Sequence, residues 1–135
     1  MFRLISALVL ILACGVTAGC GDDPVAAPVE APVSVEETFT GTVNILGASS
    51  HIFFTERAGQ AVVTLESLTP DSAAVVSLIF GTWNGSYCSV VFVKDDATTG
   101  TNMIGTASTG SFCVRVADIG RLTEATTYTI KVTHF

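Results

Sequence analysis

Residues 126–134 read TTYTIKVTH, and this stretch decides the fold class. Tyr128, Ile130, Val132 and His134 occupy alternate positions, and the positions between them hold threonine or lysine. An alternation with a period of two is typical of a β-strand that buries one face and leaves the other in water. The stretch therefore predicts a strand of a half-buried sheet.

The same character extends over the hundred residues from Glu36 to Phe135. Thr, Val and Ile make up 34 of them, and β-branched side chains suit the pleated surface of a sheet. Apolar spacing of the helical kind is interrupted throughout by Gly, Pro or Thr. We predict an all-β domain over 36–135, an antiparallel β-sandwich of about eight strands. The predicted strands are residues 38–45, 50–56, 60–68, 74–83, 86–94, 102–107, 111–118 and 126–134.

Asn84-Gly85 is the strongest local turn signal, because a two-residue type I′ turn needs positive φ at both central positions. Such a turn would place Trp83 opposite Ser86 and Gly81 opposite Cys88. Large apolar residues fall on both faces of this hairpin. We therefore expect the hairpin to be central in its sheet and partly covered on both sides, or else to present one face as a binding surface.

Residues 1–19 have the pattern of an export signal. Arg3 lies near the start, apolar residues fill 4–16, and small residues occupy 17–19. The apolar run is shorter than the roughly 20 residues that a spanning helix needs.

Thr17-Ala18-Gly19-Cys20 resembles the lipobox of bacterial lipoproteins, in which the cysteine is acylated and becomes the first residue of the mature chain. Thr17 stands where Leu or Val is usual. The resemblance implies lipid attachment at Cys20, with palmitate among the acyl chains, and anchoring in the bacterial cell envelope, at the outer membrane or the periplasmic face. The alternatives are a lipobox ending at Cys14 and an ordinary secreted protein in which Cys20 is free or disulfide-bonded.

Residues 20–35 carry three of the four prolines, four residues apart, with Ala and Val between them. This composition predicts an extended tether between the lipidated Cys20 and the domain.

Two cysteines remain for the domain if Cys14 leaves with the signal and Cys20 is acylated. In an oxidising compartment we expect Cys88 and Cys113 to form a disulfide. Alternation places Cys113 on the face of Arg115 and opposite Phe112, so the bridge should lie on a sheet surface. A zinc site is the weaker reading, because two cysteines without CxxC spacing do not supply four ligands.

The chain has 12 Asp and Glu against 6 Lys and Arg, a net charge of −6. Nucleic-acid binding requires clustered basic residues that neutralise phosphates. We therefore expect no nucleic-acid partner.

Five segments of the domain match the pattern of one family, namely residues 50–54, 58–65, 74–80, 110–118 and 128–132. Through them the domain resembles the bacterial pre-peptidase C-terminal domain, an accessory module of secreted and envelope proteins. The resemblance implies a jelly-roll-like sandwich with a binding or solubilising role and no catalysis. Ser49, Ser50 and His51 stand where members often have acidic residues, so the resemblance does not extend to the calcium ligands of some relatives, and Cys113 takes a place that is commonly Tyr.

No catalytic motif accompanies His51 or His134, and we expect both to be structural. Asp95, Asp96 and Asn102 could gather oxygen ligands for calcium, but their spacing is not that of an EF-hand and an acidic turn is the preferred reading. We therefore predict no metal, no cofactor and no enzymatic activity.

Trp83 and Tyr87 flank the hairpin tip and could form an aromatic platform for a sugar ring or a protein. The expected function is that of a lipid-anchored, non-catalytic binding module of the cell envelope with a polysaccharide or protein ligand. The alternatives are an accessory subunit that covers another envelope protein and, less favoured, a small calcium-binding module. The sequence leaves the oligomeric state open.

Overall fold

A computed structural model describes residues 26–135 of the chain. The predicted signal peptide 1–19, the predicted lipidation site Cys20 and the first residues of the predicted tether lie outside this range. Residues 26–34 form neither helix nor strand, and their side chains are exposed. Within the described range, no helix is long and apolar enough to cross a membrane.

Eight β-strands form the domain, and each overlaps one of the predicted strands. Polar or glycine-containing segments separate them, which is the pattern expected where short strands alternate with turns. The strands are β1 Val35–Val43, β2 Ala48–Thr55, β3 Gly59–Thr69, β4 Val76–Trp83, β5 Cys88–Ala97, β6 Asn102–Ala107, β7 Gly110–Ala117 and β8 Thr126–His134.

The strands form two four-stranded antiparallel sheets. The first sheet has the order β1-β8-β3-β6 and the second has the order β2-β7-β4-β5. Successive strands mostly alternate between the sheets, which gives the double Greek-key arrangement of a jelly roll. The predicted all-β sandwich of eight strands is therefore confirmed.

The core lies between the sheets and is filled by the inward side chains of each strand. Tyr128, Ile130 and Val132 of β8 are fully buried, as the alternation in residues 126–134 predicts. In the second sheet, Phe53 stacks on Phe112 with ring centroids 5.9 Å apart, and Phe112 stacks on Phe80 at 5.6 Å. These rings contribute more than their buried area, because offset aromatic pairs add about 0.5–1.5 kcal/mol each.

The register of the β4–β5 hairpin differs from the prediction. Trp83 pairs with Cys88 and not with Ser86, so the hairpin loop has four residues, 84–87. The Asn84 side-chain oxygen accepts hydrogen bonds from the N–H groups of Ser86 and Tyr87, both at 3.0 Å. An Asn side chain that binds the backbone ahead of it closes a longer loop, and the two-residue turn is therefore wrong.

The hairpin is also less central than expected. Strand β4 lies between β7 and β5, but β5 is the edge of its sheet. A register shift occurs where Phe80 pairs with Phe92 and Gly81 pairs with Val90, which leaves Val91 as an extra residue. Such a bulge bends an edge strand and hinders pairing with another chain.

Cys88 and Cys113 form the predicted disulfide, with their Cα atoms 5.8 Å apart. It joins β5 to β7 across the intervening strand β4. Gly81 of β4 lies beneath the crossing, because a Cβ atom there would collide with the carbonyl oxygen of Ser89 and would lie 3.1 Å from the Cys88 sulfur. Cys113 is fully buried but lies on the side of its sheet that carries Arg115, as predicted.

The strand connections define two ends of the sandwich, which we name by one residue each. The Val35 end holds the start of β1 and the loops 56–58, 84–87 and 108–109. The Leu46 end holds the loops 44–47, 70–75, 98–101 and 118–125.

Candidate functional site

The outer surface of the second sheet carries the largest group of exposed apolar side chains on the strands. From the Val35 end to the Leu46 end, its outward side chains form four rows: Phe54, Ser111, Trp83 and Cys88; Ile52, Cys113, Gly81 and Val90; Ser50, Arg115, Ile79 and Val93; and Ala48, Ala117, Ser77 and Asp95. We call the residues Ile52, Phe54, Trp83, Val90 and Val93 the apolar face. Ile52, Phe54, Val90 and Val93 are 47–55% exposed, and such a cluster on a domain surface marks an interaction site.

The two residues of the predicted aromatic platform lie at one end of this surface. Trp83 ends β4 and is half-buried, whereas Tyr87 lies in the loop 84–87 and is 63% exposed. The aromatic pairs found among residues 26–135 do not include a Trp83–Tyr87 pair. Aliphatic side chains make up most of the surface beside them, so it offers general apolar contact more than ring stacking.

Arg115 is the cation of this surface. It lies in the third row, beside Ile79 and Val93, and its side chain is half-buried. Ion pairs within 4.0 Å in the described part of the chain involve Lys94, Lys131 and His134, and none involves Arg115. The guanidinium group can therefore meet a carboxylate or phosphate of a partner.

The outer surface of the first sheet has the opposite character. Threonine dominates its outward positions on three strands, and Lys131 makes ion pairs with Glu66 at 3.5 Å and Glu36 at 4.0 Å. Polar and β-branched side chains suit a strand face in water. The outward threonines on β1, β3 and β8 are Thr38, Thr40, Thr42, Thr64, Thr69, Thr127, Thr129 and Thr133.

A second, smaller apolar group lies at the Leu46 end. Ile45, Leu46 and Ile119 are exposed in the loops 44–47 and 118–125. Leu46 is 74% exposed and has φ of +56°, a backbone conformation that glycine and asparagine adopt far more easily than leucine. The turn is closed by the Gly47 N–H group, which donates to the Asn44 carbonyl at 2.8 Å.

The carboxylate of Asp118 fixes this end of the sandwich. Its Oδ2 accepts a hydrogen bond from the Leu46 N–H group at 2.9 Å, and its Oδ1 accepts from the N–H groups of Gly120, Arg121 and Leu122 at 2.8–3.1 Å. Burial by itself would raise the pKa of this carboxyl group, but the four backbone donors outweigh it and hold the pKa below its usual value. Asp118 is thus a structural charge that holds two loops together.

Both histidines are built into the sandwich. The Tyr128 hydroxyl lies 2.9 Å from His51 Nε2, and the His51 ring stacks on Phe39 at 5.0 Å. Burial lowers the pKa of His51, and burial raises the pKa of Tyr128 against the opposing hydrogen bond from Ser49. The neutral Tyr128 hydroxyl can therefore donate to a neutral His51 ring.

His134 lies on β8 and binds a carboxylate. Its Nε2 is 2.8 Å from Glu37 Oε1, and its ring is nearly fully buried. The hydrogen-bond partners of the two histidines within residues 26–135 are tyrosine, glutamate and backbone groups.

The three weak calcium candidates take other partners. Asp95 accepts a hydrogen bond from the Ser77 hydroxyl at 2.7 Å, and Asp96 lies 3.8 Å from the Lys94 ammonium group. Asn102 belongs to the other sheet and accepts from the Thr64 hydroxyl at 2.7 Å. In the described range, no group of three or more His, Cys, Asp or Glu could hold a metal ion.

A cleft of about 370 Å³ opens at the side of the sandwich between β4 and β6. Phe80 and Phe112 line it together with Val91, Thr82 and Thr106, and its lining contains no charged side chain. Because both rings are more than nine-tenths buried, they offer little surface to a ligand.

Sequence reasoning missed four members of the apolar face, namely Ile52, Phe54, Val90 and Val93. A signal was present for the first two, because residues 52–54 place apolar side chains on both faces of β2. One face packs in the core, and the other has to be exposed or covered by a partner.

No protein-family model matches the chain, and no curated protein matches it. Among solved structures, the crystal structure of the Yersinia pseudotuberculosis-derived mitogen is similar, with a TM-score of 0.56 and 18% sequence identity. The match covers 76% of this chain and 88% of that chain. At this identity the likeness shows a shared fold, and function has to be argued from the surface of this domain.

Proposed function

We propose that the protein is an exported, lipid-anchored and non-catalytic interaction module of the bacterial cell envelope, and that it binds through the apolar face. The single observation that supports this proposal is the exposure of Ile52, Phe54, Val90 and Val93 on one surface of the sandwich. Binding of a partner that removes exposed apolar groups from water lowers the free energy of the system. The threonine-rich surface of the first sheet gives no comparable gain.

The lipid anchor is the part of the proposal that localises the protein. The lipobox-like Thr17-Ala18-Gly19-Cys20 supports it, as does the exposed, irregular character of residues 26–34. Two or more acyl chains make membrane attachment durable, because each buried methylene contributes about 0.8 kcal/mol. We expect the intact mass of the protein in the membrane fraction to correspond to a chain that begins at an acylated Cys20. A soluble periplasmic form that begins elsewhere would contradict the anchor.

The composition of the apolar face bears on its ligand. A sugar ring is held by flat, exposed aromatic rings and by polar groups that bind its hydroxyls. Here Trp83 is half-buried, and three of its neighbours on the face are the aliphatic Ile52, Val90 and Val93. An apolar partner fits this surface better than a polysaccharide does.

A binding assay on insoluble polysaccharides, including peptidoglycan, tests this preference. We expect the full chain and the Trp83→Ala variant to be retained equally weakly. The matched control is Thr40→Ala on the first sheet. Retention that Trp83→Ala abolishes and Thr40→Ala preserves would assign the face to a glycan.

The second candidate is an accessory subunit that covers another envelope protein with the same surface. Arg115 favours this candidate, because it adds an unpaired cation to an apolar patch, and arginine is enriched at protein interfaces. Copurification from solubilised envelope should then yield one protein in constant proportion, and Arg115→Glu should release it.

The resemblance to the pre-peptidase C-terminal domain agrees with either candidate. It implies a module without catalysis, and the pairing of His51 with Tyr128 and of His134 with Glu37 leaves no activated nucleophile at either imidazole. Family membership itself stays a proposal.

A further inference from the structure

The outer surface of the second sheet changes in polarity from one end of the sandwich to the other. The first row, at the Val35 end, holds Phe54 and Trp83, and the second row holds Ile52 and Val90. Arg115 is the first charge along this direction and lies in the third row. The last row, at the Leu46 end, holds the hydrogen-bonded pair of Ser77 and Asp95.

Strand geometry gives this gradient a length scale. Neighbouring rows are two residues apart along a strand, which is about 6.7 Å. Arg115 therefore lies about 13 Å from the first row, and Asp95 lies about 20 Å from it. A surface that binds flat against a protein has no reason to order its residues in this way, whereas a surface that enters a graded medium does.

The chain enters the domain at the same end. Val35 pairs with His134, and Phe53 packs against the His134 ring at 5.2 Å, which places the start of β1 beside the end of β2 and therefore beside Phe54. Residues from Cys20 to Val35 would span about 45 Å in a polyproline II conformation. A chain anchored at Cys20 is thus held with the apolar rows at the end of the domain that its tether reaches.

We infer that the partner of the apolar face is the interfacial region of the bilayer that carries the anchor, and this inference rests on the lipid anchor of the proposed function. Interfacial binding buries apolar side chains about 5–10 Å deep, which covers the first two rows and leaves Val93 of the third row at the level of Arg115. Trp83 and Tyr87 then lie deepest, at the boundary between the headgroups and the acyl chains, where amphipathic aromatic side chains are favoured. Arg115 reaches the phosphates with its guanidinium group.

The sole tryptophan makes this placement measurable, because Trp83 is the only one in the chain. The full-length lipidated protein is reconstituted into vesicles of equimolar phosphatidylethanolamine and phosphatidylglycerol. Separate vesicle preparations carry a nitroxide at the headgroup, high on the acyl chain, or near its end. We expect Trp83 emission to be quenched most by the first two positions.

Variants at both ends of the sandwich provide the controls. Phe54→Ser and Tyr87→Ser should each reduce the quenching by about half or more, because they remove apolar contacts from the docked end. Leu46→Ser and Ile119→Ser remove side chains of similar exposure at the opposite end and should leave the quenching unchanged. Near-ultraviolet circular dichroism of each variant verifies that the fold is intact.

Three results would overturn the inference. Trp83 could remain fully accessible to an aqueous quencher while the protein floats with the vesicles, or its emission could shift to the blue without quenching by any nitroxide. The latter result would assign the face to a protein partner. Loss of quenching with Leu46→Ser but not with Phe54→Ser would show that the Leu46 end, and not the Val35 end, is the docked end. The intact mass of the same sample reports the acylation of Cys20 separately, so failure of the anchor is distinguished from failure of the docking.

Discussion

Leu46 combines two unfavourable properties, since its backbone is left-handed with φ of +56° and its side chain is 74% exposed. The left-handed conformation costs a residue that has a Cβ atom about 1 kcal/mol or more. Asparagine tolerates this conformation, so Leu46→Asn should raise the free energy of unfolding by about 1 kcal/mol. That gain corresponds to an increase in Tm of roughly 4–8 °C for a domain of this size, measurable by calorimetry.

Ile45→Asn serves as the control for this prediction. Ile45 is exposed in the same turn, but the positive φ belongs to Leu46 among the non-glycine residues of the described range. The control should therefore change the Tm by less than about half as much. Equal Tm values for the two variants would show that Leu46 carries no backbone strain.

Asp118 contributes stability through its charge. Asp118→Asn keeps the shape but replaces one acceptor oxygen by an NH₂ group, which leaves either the Leu46 N–H group at Oδ2 or the three donors at Oδ1 without their acceptor. We expect a loss of about 2–3 kcal/mol in the free energy of unfolding at pH 7, measured by denaturant titration. Asp71→Asn is the control, because Asp71 is exposed and its carboxylate accepts one hydrogen bond, from the Ala73 N–H group.

The pH dependence follows from the direction of the Asp118 shift. Its folded pKa is lower than that of the unfolded chain, so the stabilisation is complete above about pH 4 and is lost as the pH falls through the folded value. His51, with its lowered pKa, also destabilises the fold as the pH falls below about 6.5. The difference between wild type and Asp118→Asn isolates the first effect, and it should narrow between pH 4 and pH 2. A difference that is constant over this interval would contradict a structural role for the charge.

At the scale of the elements, the close approach of the β5 backbone to β4 depends on one glycine. A Cβ atom at Gly81 would collide with the Ser89 carbonyl oxygen, which belongs to the backbone and cannot rotate away. Gly81→Ala should therefore lower the free energy of unfolding by about 3 kcal/mol or more, as measured by denaturant titration.

Gly105→Ala is a matched control for this close approach. A Cβ atom at Gly105 would lie 3.0 Å from the edge of the Phe92 ring, and Phe92 is a partly exposed side chain that can move. Its cost should be smaller by about 1–2 kcal/mol. If the two substitutions lower the free energy of unfolding equally, the close backbone approach at Gly81 does not set the path of β5.

Most of the strands could be predicted from the sequence because they alternate buried and exposed side chains. Alternation over 126–134 gives the bounds of β8 without error, and turn residues separate the other strands. The Asn84-Gly85 signal failed because the Asn84 side chain closes a loop of four residues. Pairing with Cys88 in place of Ser86 and the extra Val91 then shift the whole register.

The apolar face could not be predicted for the same reason. Residues 90–93 are four apolar side chains in succession, and such a run does not show which of them point outward. Only the pairing of Ile79 with Val93 and of Gly81 with Val90 assigns them. Trp83 and Tyr87 could be singled out by residue type, and residues 52–54 signal apolar side chains on both faces of β2. Val90 and Val93 required the three-dimensional register.

For the whole molecule, the disulfide connects the exposed edge of the second sheet to its interior. Cys88 begins the edge strand β5, and Cys113 lies in β7, two strands away. The bond spans a sequence separation of 25 residues, and closing a loop of that length in the unfolded chain stabilises the fold by about 3.5 kcal/mol on the chain-entropy model. Domains of this kind are stable by only about 5–15 kcal/mol, so the bond supplies a large share.

We therefore predict that the double variant Cys88→Ser, Cys113→Ser has a Tm lower than wild type by on the order of 15–25 °C. Wild type unfolded in the presence of a strong reductant should show the same Tm as the variant, and the reductant should not affect the variant. The single variant Cys88→Ser separates the loss of the bond from the loss of both sulfur atoms, because it keeps the buried Cys113. Because β5 is the edge strand beside β4, weakening its attachment should uncover the edge of β4 and promote association at high concentration. Equal Tm values with and without reductant would mean that packing alone holds β5 in place, and the fold would then not depend on an oxidising compartment.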